Sequence, residues 1–414
     1  MEYLLSNHKT LSLQKQLDMV AGNKDNIPFD EIVVEFINDL SKLILLDKNF
    51  RKFPEIIAVG HWLRASNIKK MQIDFEKLKA GRFLVPKGCV LHFAPSNVDT
   101  IFVYSWVISL LLGNKNIIRL SRKKSAVVDT LLNLISTSLL NEKYNKIANG
   151  LLIVSYDYDI EITELLSKYC DIRVIWGGDK TIDAIRTAKL PSRSTDLVFA
   201  NRFSIAAINS SYVNSMSDHK LTEVVKLFYR DSFTYDQNAC SSPKAVFFVG
   251  NLQDVLHAKQ RFWSMFETYL EENNPWEATS VAVAMTRFTN LTQFSASKKI
   301  ASFKKQFFDI PCVAEITTID NEMREIHSGG GFFLEGDDVT LSDVIRKLNK
   351  KDQTLILCGF SKNDLDEIKS ELPTGAIDRI VPVGKALEFY PVWDGYNLFL
   401  EFTREIYIDD SLYA

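Results

Sequence analysis

Residues 89–120 read CVLHFAPSNVDTIFVYSWVISLLLGNKNIIRL, and this stretch decides the fold class. Cys89–Ala94 is a short apolar run of the kind that forms a strand buried on both faces. Ala94-Pro-Ser-Asn97-Val-Asp-Thr100 is a turn-forming loop. Ile101–Leu112 is apolar almost all round, which predicts a buried helix, and Asn116–Leu120 predicts a second strand. Strand, helix and strand in this order make a parallel pair joined by a right-handed crossover.

The rhythm continues outward from this unit. Helices are expected over Ala126–Leu140, Ile160–Tyr169 and Thr181–Lys189, and strands over Leu151–Ser155 and Ile172–Trp176, with Ser204–Asn209 closing the sheet. Upstream, residues 1–80 read as helical. Ile32, Val33, Phe36, Ile37, Leu40, Leu43 and Ile44 recur at helical spacing, and a further helix over Arg51–Ile68 is entered through Phe53-Pro54. Downstream, a second α/β unit starts near residue 230. It has a strand over Ala245–Val249, a long helix over Leu252–Glu272 ending at Asn273-Asn-Pro275, and a Gly329-Gly-Gly331 loop. A helix over Leu341–Asn349, a strand over Thr354–Cys358 and a helix over Asn363–Ser370 follow.

Composition bounds the function. The 414 residues are enough for two or three domains at roughly 100–200 residues each. With 27 Phe, 14 Tyr, 11 Pro and 17 Gly, the chain is not disordered on a large scale. A net charge of −3 gives no footprint for nucleic acid. The longest apolar run, Ile101–Leu112, falls short of the ~20 residues a membrane span needs. The N-terminus lacks a secretory signal, and the five cysteines are dispersed without metal-ligand or disulfide spacing. A reducing, cytoplasmic location and no metal are therefore expected.

Four loops can carry chemistry. Asn97 can donate its amide to an oxyanion, or it can cap the following helix. Arg119-Leu-Ser121-Arg122-Lys123-Lys124 follows a strand, where an anionic cofactor or plain solvent would suit it. Trp176-Gly177-Gly178-Asp179 can let a pyrophosphate approach the backbone, or make a tight turn. Cys240 lies in the polar stretch Asp236-Gln-Asn-Ala-Cys240-Ser-Ser-Pro-Lys244, where an exposed thiolate can act as a nucleophile; most free thiols, by contrast, are buried and inert.

In this order the loops resemble the aldehyde dehydrogenase superfamily and, more closely, its LuxC-type acyl-CoA reductases. The likeness runs through Phe53-Pro-Glu-Ile, Trp62-Leu-Arg64-Ala, Val85-Pro-Lys-Gly88, Asn97 and Trp176-Gly-Gly178. It continues through Cys240-Ser-Ser-Pro243, Gln353-Thr-Leu, Arg379-Ile-Val-Pro-Val-Gly384 and Trp393-Asp-Gly395.

The resemblance implies an aldehyde-dehydrogenase-like α/β fold. Its parts would be a helical segment over 1–80, a Rossmann-like NADP(H)-binding domain over 81–210, a catalytic domain over 211–390 and a C-terminal segment over 391–414. Arg404-Glu-Ile-Tyr-Ile408 in that last segment could form an oligomerisation strand. The implied reaction is NADPH-dependent reduction of an acyl-CoA or other acyl thioester to the aldehyde. Cys240 would be the nucleophile and Asn97 an oxyanion donor. Arg119, Ser121, Arg122, Lys123, Trp176, Gly177 and Gly178 would hold the cofactor, and Glu335 is the candidate for its nicotinamide ribose. The implied partners are an acyl-protein synthetase (LuxE-like) and further copies of the chain. Oxidative relatives use a glutamate to activate water. The corresponding stretch here, Val198-Phe-Ala-Asn-Arg202, has no carboxylate, which suits a reductase. A reductase of short or polar acyl-CoA or acyl phosphate, and a non-reducing acyl carrier, are the alternative readings.

Overall fold

The computed structural model describes residues 1–7, 9–24, 26–273, 281–304 and 310–413. Two compact units make up the chain, one from Met1–Ala200 with Phe389–Ala414, the other from Asn201–Glu388.

The first unit carries strands β1 (Glu2–Leu5), β2 (Phe83–Pro86), β3 (Cys89–Phe93), β4 (Lys115–Leu120), β5 (Leu151–Ser155), β6 (Ile172–Trp176) and β7 (Thr195–Phe199). Six of them form one sheet in the order β1-β5-β4-β3-β6-β7. β1 runs antiparallel on the β5 edge, and the other five are parallel. The chain starts the parallel set at its centre, steps out through β4 and β5, then returns to the other side of β3 for β6 and β7. That reversal makes a topological switch point between β3 and β6, the place where open α/β sheets bind ligands beyond their carboxyl ends.

Successive strand residues feed two cores. Val90, Ile118, Ile153 and Val174 pack with the helices Glu31–Leu46 and Ile101–Leu111, among others. Leu91, Ile117, Val154 and Ile175 face Leu17, Leu166 and Ile182 on the opposite side. The period-two alternation within each strand follows from the pleat.

Three local expectations change. β1 is a strand where only helix was expected. It is short, and its pairing with β5 lies far away in sequence, so periodicity carries no sign of it. The helix expected over Arg51–Ile68 is two helices, Pro54–Trp62 and Ala65–Lys79. Pro54 does sit in the first turn. Residues Thr403–Ile406, placed near a possible oligomerisation strand, pair antiparallel with β2 of their own chain.

The second unit holds β8 (Phe203–Asn209), β9 (Ala245–Val249), β10 (Ile300–Lys304), β11 (Cys312–Ile316), β12 (Phe332–Asp338), β13 (Asp352–Cys358) and β14 (Arg379–Pro382). Their order is β10-β11-β12-β9-β8-β13-β14, parallel except for the β10–β11 pair. The run Ser204–Asn209, expected to close the first sheet, is instead β8 at the heart of the second. A strand buried on both faces carries no label for the sheet it joins. Arg202, just ahead of it, is tied to this unit through the Asp352 carbonyl (2.8 Å) and the Asp378 carboxylate (2.7 Å).

Ala206, Ile208, Val246 and Phe248 pack against Phe228, Phe262 and Phe266 on one side of this sheet. Ile205, Ala207, Phe247 and Leu355 pack against Leu291, Phe294 and Val344 on the other. The long helix runs over Leu252–Asn273, and its expected end at Asn274-Pro275 lies outside the described residues.

Candidate active site

Cys240 stands in the loop between the helix Asp218–Phe233 and β9, at the amino-terminal end of the second unit's parallel strands. It is half-buried, whereas Cys89, Cys170, Cys312 and Cys358 are buried. Burial pushes the thiols of Cys170 and Cys358 up to about 12, which leaves them inert near neutral pH.

One side chain fixes this loop at both ends. Gln237 is fully buried. Its Nε2 donates to the carbonyls of Pro243 (2.8 Å) and Phe332 (3.2 Å), and its Oε1 accepts from Gly331 N (2.7 Å). Cys240 lies midway between Gln237 and Pro243, in a turn closed by Ser242 N donating to the Ala239 carbonyl (3.1 Å). Ser204, at the start of β8, donates its hydroxyl to the Cys240 carbonyl (2.7 Å) and accepts from Thr354 N (3.2 Å).

Asp236 and Gln237 are both left-handed, at φ 48° and 57°. Such backbone persists in non-glycine residues only where surrounding contacts hold it. The contacts come from Gly329-Gly-Gly331, whose three residues are also left-handed. Gly330 N donates to the Asp236 carbonyl (2.9 Å), and a Cβ on Gly330 would lie 2.2 Å from Val283 Cγ1. Arg287 reaches the Gly330 carbonyl from the helix Val281–Ala296.

Two basic side chains lie behind the loop. Lys244 is only 7% exposed, and burial lowers its pKa. His327 stacks on Phe332 with ring centroids 5.0 Å apart, and its Nδ1 accepts from Gly329 N (3.1 Å). Burial, aided by the charge of Lys244, holds it well below the usual imidazole range, so it is neutral. The roles of Gln237, Lys244 and His327 escaped the sequence reading. The first two lie within the stretch that singled out Cys240, but nothing in their spacing signals burial.

Glu335 sits apart from any loop. It lies in β12 with 0% exposure. Its carboxylate is paired with Lys259 Nζ (3.2 Å) and accepts from the Trp263 indole, both on the long helix. A carboxylate engaged in this way ties helix to sheet and is not offered to a ribose, so Glu335 is not carried forward as a cofactor residue.

In the first unit, Asn97 is exposed on the loop after β3. The N-cap position of the next helix belongs to Thr100. Arg119 and Arg122 turn toward the end of β5. Arg119 Nη2 donates to the Tyr156 carbonyl (2.8 Å), and Arg122 pairs with Asp157 (2.7 Å). Lys123 points the other way, its Nζ donating to the Ser96 carbonyl (3.1 Å). A small pocket between the ends of β3 and β4 is lined by Pro95, Ser96, Asp99, Ser121 and Lys123.

Across the switch point, Trp176 stacks on Phe199 at 3.8 Å, and its indole N–H is buried with no acceptor among the described residues. Gly178 immediately precedes the helix Asp179–Arg186, and a Cβ there would meet nothing within 4 Å. An open backbone at the helix N-terminus after β6, with a hydroxyl and an ammonium at the end of β4 on the other side of β3, fits a ribose–phosphate ligand. Among the described residues no group of His, Cys, Asp and Glu could hold a metal ion, and no helix is long and apolar enough to cross a membrane.

Comparison with known proteins agrees with this arrangement. The model of the family described as acyl-CoA reductase (LuxC) matches residues 72–405. A long-chain acyl-protein thioester reductase 2 of Photobacterium leiognathi is 28% identical over 175 residues, 41% of this chain and 34% of its own. The long-chain acyl-protein thioester reductase of Photobacterium phosphoreum is 27% identical over 175 residues, 41% of this chain and 33% of its own. The chain thus spans about a third of the length of these curated relatives. A lactaldehyde dehydrogenase structure superposes with a TM-score of 0.64 at 12% identity, covering 96% of this chain and 91% of its own. The NADP-complexed glyceraldehyde-3-phosphate dehydrogenase of Methanocaldococcus jannaschii gives 0.62 at 13% identity, over 95% and 92%. Likeness at this identity is one of fold, and the fold is that of the aldehyde dehydrogenases.

Proposed function

The chain belongs to the acyl-CoA reductase (LuxC) family, and from that premise we propose that it reduces an acyl thioester to the aldehyde with NADPH through an acyl-cysteine on Cys240. The acyl group arrives as a fatty acyl-CoA or from a partner acyl-protein synthetase, and the working enzyme is a homo-oligomer. The observation that carries the reading is the half-buried Cys240, held at mid-turn while the other four cysteines are buried.

The Cys240 thiolate attacks the thioester carbonyl, and the departing thiolate leaves an acyl-cysteine. Asn97 keeps the role the resemblance implies, donating its amide to the oxyanion. Loss of one such donor costs about 10²–10³ in rate. NADPH, when bound, supplies the hydride that turns the acyl-cysteine into a thiohemiacetal. Its collapse returns the thiolate and releases the aldehyde. With no carboxylate in Val198–Arg202 to activate water, the acyl-cysteine persists until it is reduced.

For the cofactor, the proposal rests on Gly177 and Gly178 at the helix N-terminus, on Trp176, and on Ser121 and Lys123 at the end of β4. Arg119 and Arg122 border the same strand end, and the absence of an acid across Ser121–Lys124 suits a 2′-phosphate.

The test is aldehyde formation from tetradecanoyl-CoA with NADPH. Wild type should give aldehyde and oxidised cofactor in equal amounts, and Cys240→Ala should give neither. Turnover by Cys240→Ala at the wild-type rate would refute the assignment.

A further inference from the structure

Residues 48–87 carry ten Lys or Arg against three Asp or Glu, a net charge of +7 in a chain whose total is −3. Eight of the ten are exposed. Six precede residue 72, where the family match begins, so most of this charge is outside that match. The helix Ala65–Lys79 at the centre of the stretch buries Ile68, Met71 and Phe75 in the core of its unit. Turned away from them, Lys69, Gln72, Ile73, Glu76 and Lys77 line a groove of about 470 Å³. Lys69, Ile73 and Lys77 follow one another at successive turns, so a 45% exposed apolar side chain stands between two ammonium groups. Both acids of the helix are engaged. Asp74 accepts from the Tyr390 hydroxyl (2.8 Å) and lies 3.6 Å from Lys77 Nζ, and Glu76 lies 3.9 Å from Lys79 Nζ. Lys69 donates to Gln72 (3.2 Å), and Lys70 lies over the Tyr390 ring at 5.7 Å. Arg64, Lys69, Lys70 and Arg82 pair with no carboxylate among the described residues. Phe83, which follows Arg82 at the start of β2, is 48% exposed.

We infer that this basic face docks on an anionic lipid surface. Each Lys or Arg brought to such a surface strengthens binding about fivefold, and a cluster of several holds a protein there. An acidic protein would need the charges alone. Ile73 between Lys69 and Lys77, and Phe83 beside Arg82, suit a lipid boundary instead, where apolar side chains enter while ammonium groups stay at the phosphates. The contact is peripheral, because the helix keeps its other face in the protein core and no described helix is long and apolar enough to cross a membrane. For its use the docking rests on the proposed function, since a fatty acyl chain and its aldehyde partition into lipid. The binding itself needs no substrate.

The experiment is sedimentation of the full chain with vesicles of phosphatidylglycerol and phosphatidylcholine in equal amounts, against phosphatidylcholine alone. Wild type should pellet with the anionic vesicles only, and about 0.5 M salt should release most of it. Lys69→Gln/Lys70→Gln/Lys77→Gln should weaken binding about a hundredfold. Ile73→Ser should weaken it about fivefold and leave its salt dependence unchanged. These positions are exposed, so urea unfolding should stay as in wild type. Lys226→Gln/Lys362→Gln/Lys369→Gln, at three exposed lysines of the second unit, should bind as wild type does. Wild type that ignores anionic vesicles overturns the inference without any variant and turns the search to an acidic protein. An equal loss in both triple variants overturns it as well. Vesicle binding with no aldehyde formed would uphold the docking and remove the reductase reading. Aldehyde formed by a chain that binds no vesicles would do the reverse.

Discussion

Gly331 N donates to Gln237 Oε1 over 2.7 Å, which joins the triple-glycine loop before β12 to the loop that carries the nucleophile. The same side chain donates to Pro243 and Phe332. Gln237→Leu would remove the side-chain partner of three buried backbone groups. We expect about 1–3 kcal/mol or more of lost stability, read by urea unfolding. Acylation of Cys240 should slow beyond what that loss explains. A variant that acylates at the wild-type rate would show that the clamp does not set the loop.

Two glycine substitutions should separate structure from binding. Gly330→Ala sets a Cβ 2.2 Å from Val283 Cγ1 at φ +64°, so it should destabilise the second unit by about 1–3 kcal/mol. Gly178→Ala has open space and an ordinary φ of −75°. It should leave unfolding unchanged while weakening NADPH binding, measured by quenching of cofactor fluorescence. Undiminished binding would place the phosphates elsewhere.

His92 is fully buried in β3, with Nδ1 2.8 Å from Ser105 Oγ and Nε2 3.0 Å from Asn116 Oδ1. Burial pushes its pKa down to about 4. The unfolded imidazole takes a proton that the folded one refuses, so the stability it supports is present above about pH 6.5 and lost as pH falls toward 4. The stability difference between wild type and His92→Gln should shrink across that window by up to about 3 kcal/mol. A difference that stays flat with pH would mean His92 is not held neutral.

Asp231 has the opposite sign. Its carboxyl accepts from Gly384 N (2.6 Å) and Ala386 N (3.2 Å), and burial pushes it up to about 7. Stability from the neutral acid is full below about pH 4 and is lost as pH rises through about 7. Asp231→Asn, neutral at every pH, should therefore gain on wild type over that rise, as followed by urea unfolding. A constant gap would indicate that the carboxyl is ionised throughout.

The fold was legible where a short apolar run and an amphipathic segment alternate, as in Cys89–Leu120. The strand β8 was read correctly but assigned to the wrong sheet, because residues such as Ile205 and Ala207 report burial and not neighbours. β1 was missed because its partner, β5, lies far away in sequence. Cys240 stood out as a thiol in a polar loop, and it is the half-buried one. Gln237 lay in plain view beside it, yet its work depends on being buried, which a polar residue's identity argues against. Glu335 is a candidate through the family resemblance alone. Its burial against Lys259 and Trp263 is a tertiary fact that spacing could not carry.

The central claim is covalent chemistry at Cys240, and intact-protein mass tests it most directly. Wild type and Cys240→Ala are incubated with tetradecanoyl-CoA, with and without NADPH. The account predicts a tetradecanoyl mass on wild type alone, which vanishes when NADPH is added as aldehyde appears. An acyl mass that survives NADPH, or one that forms equally on Cys240→Ala, would contradict it.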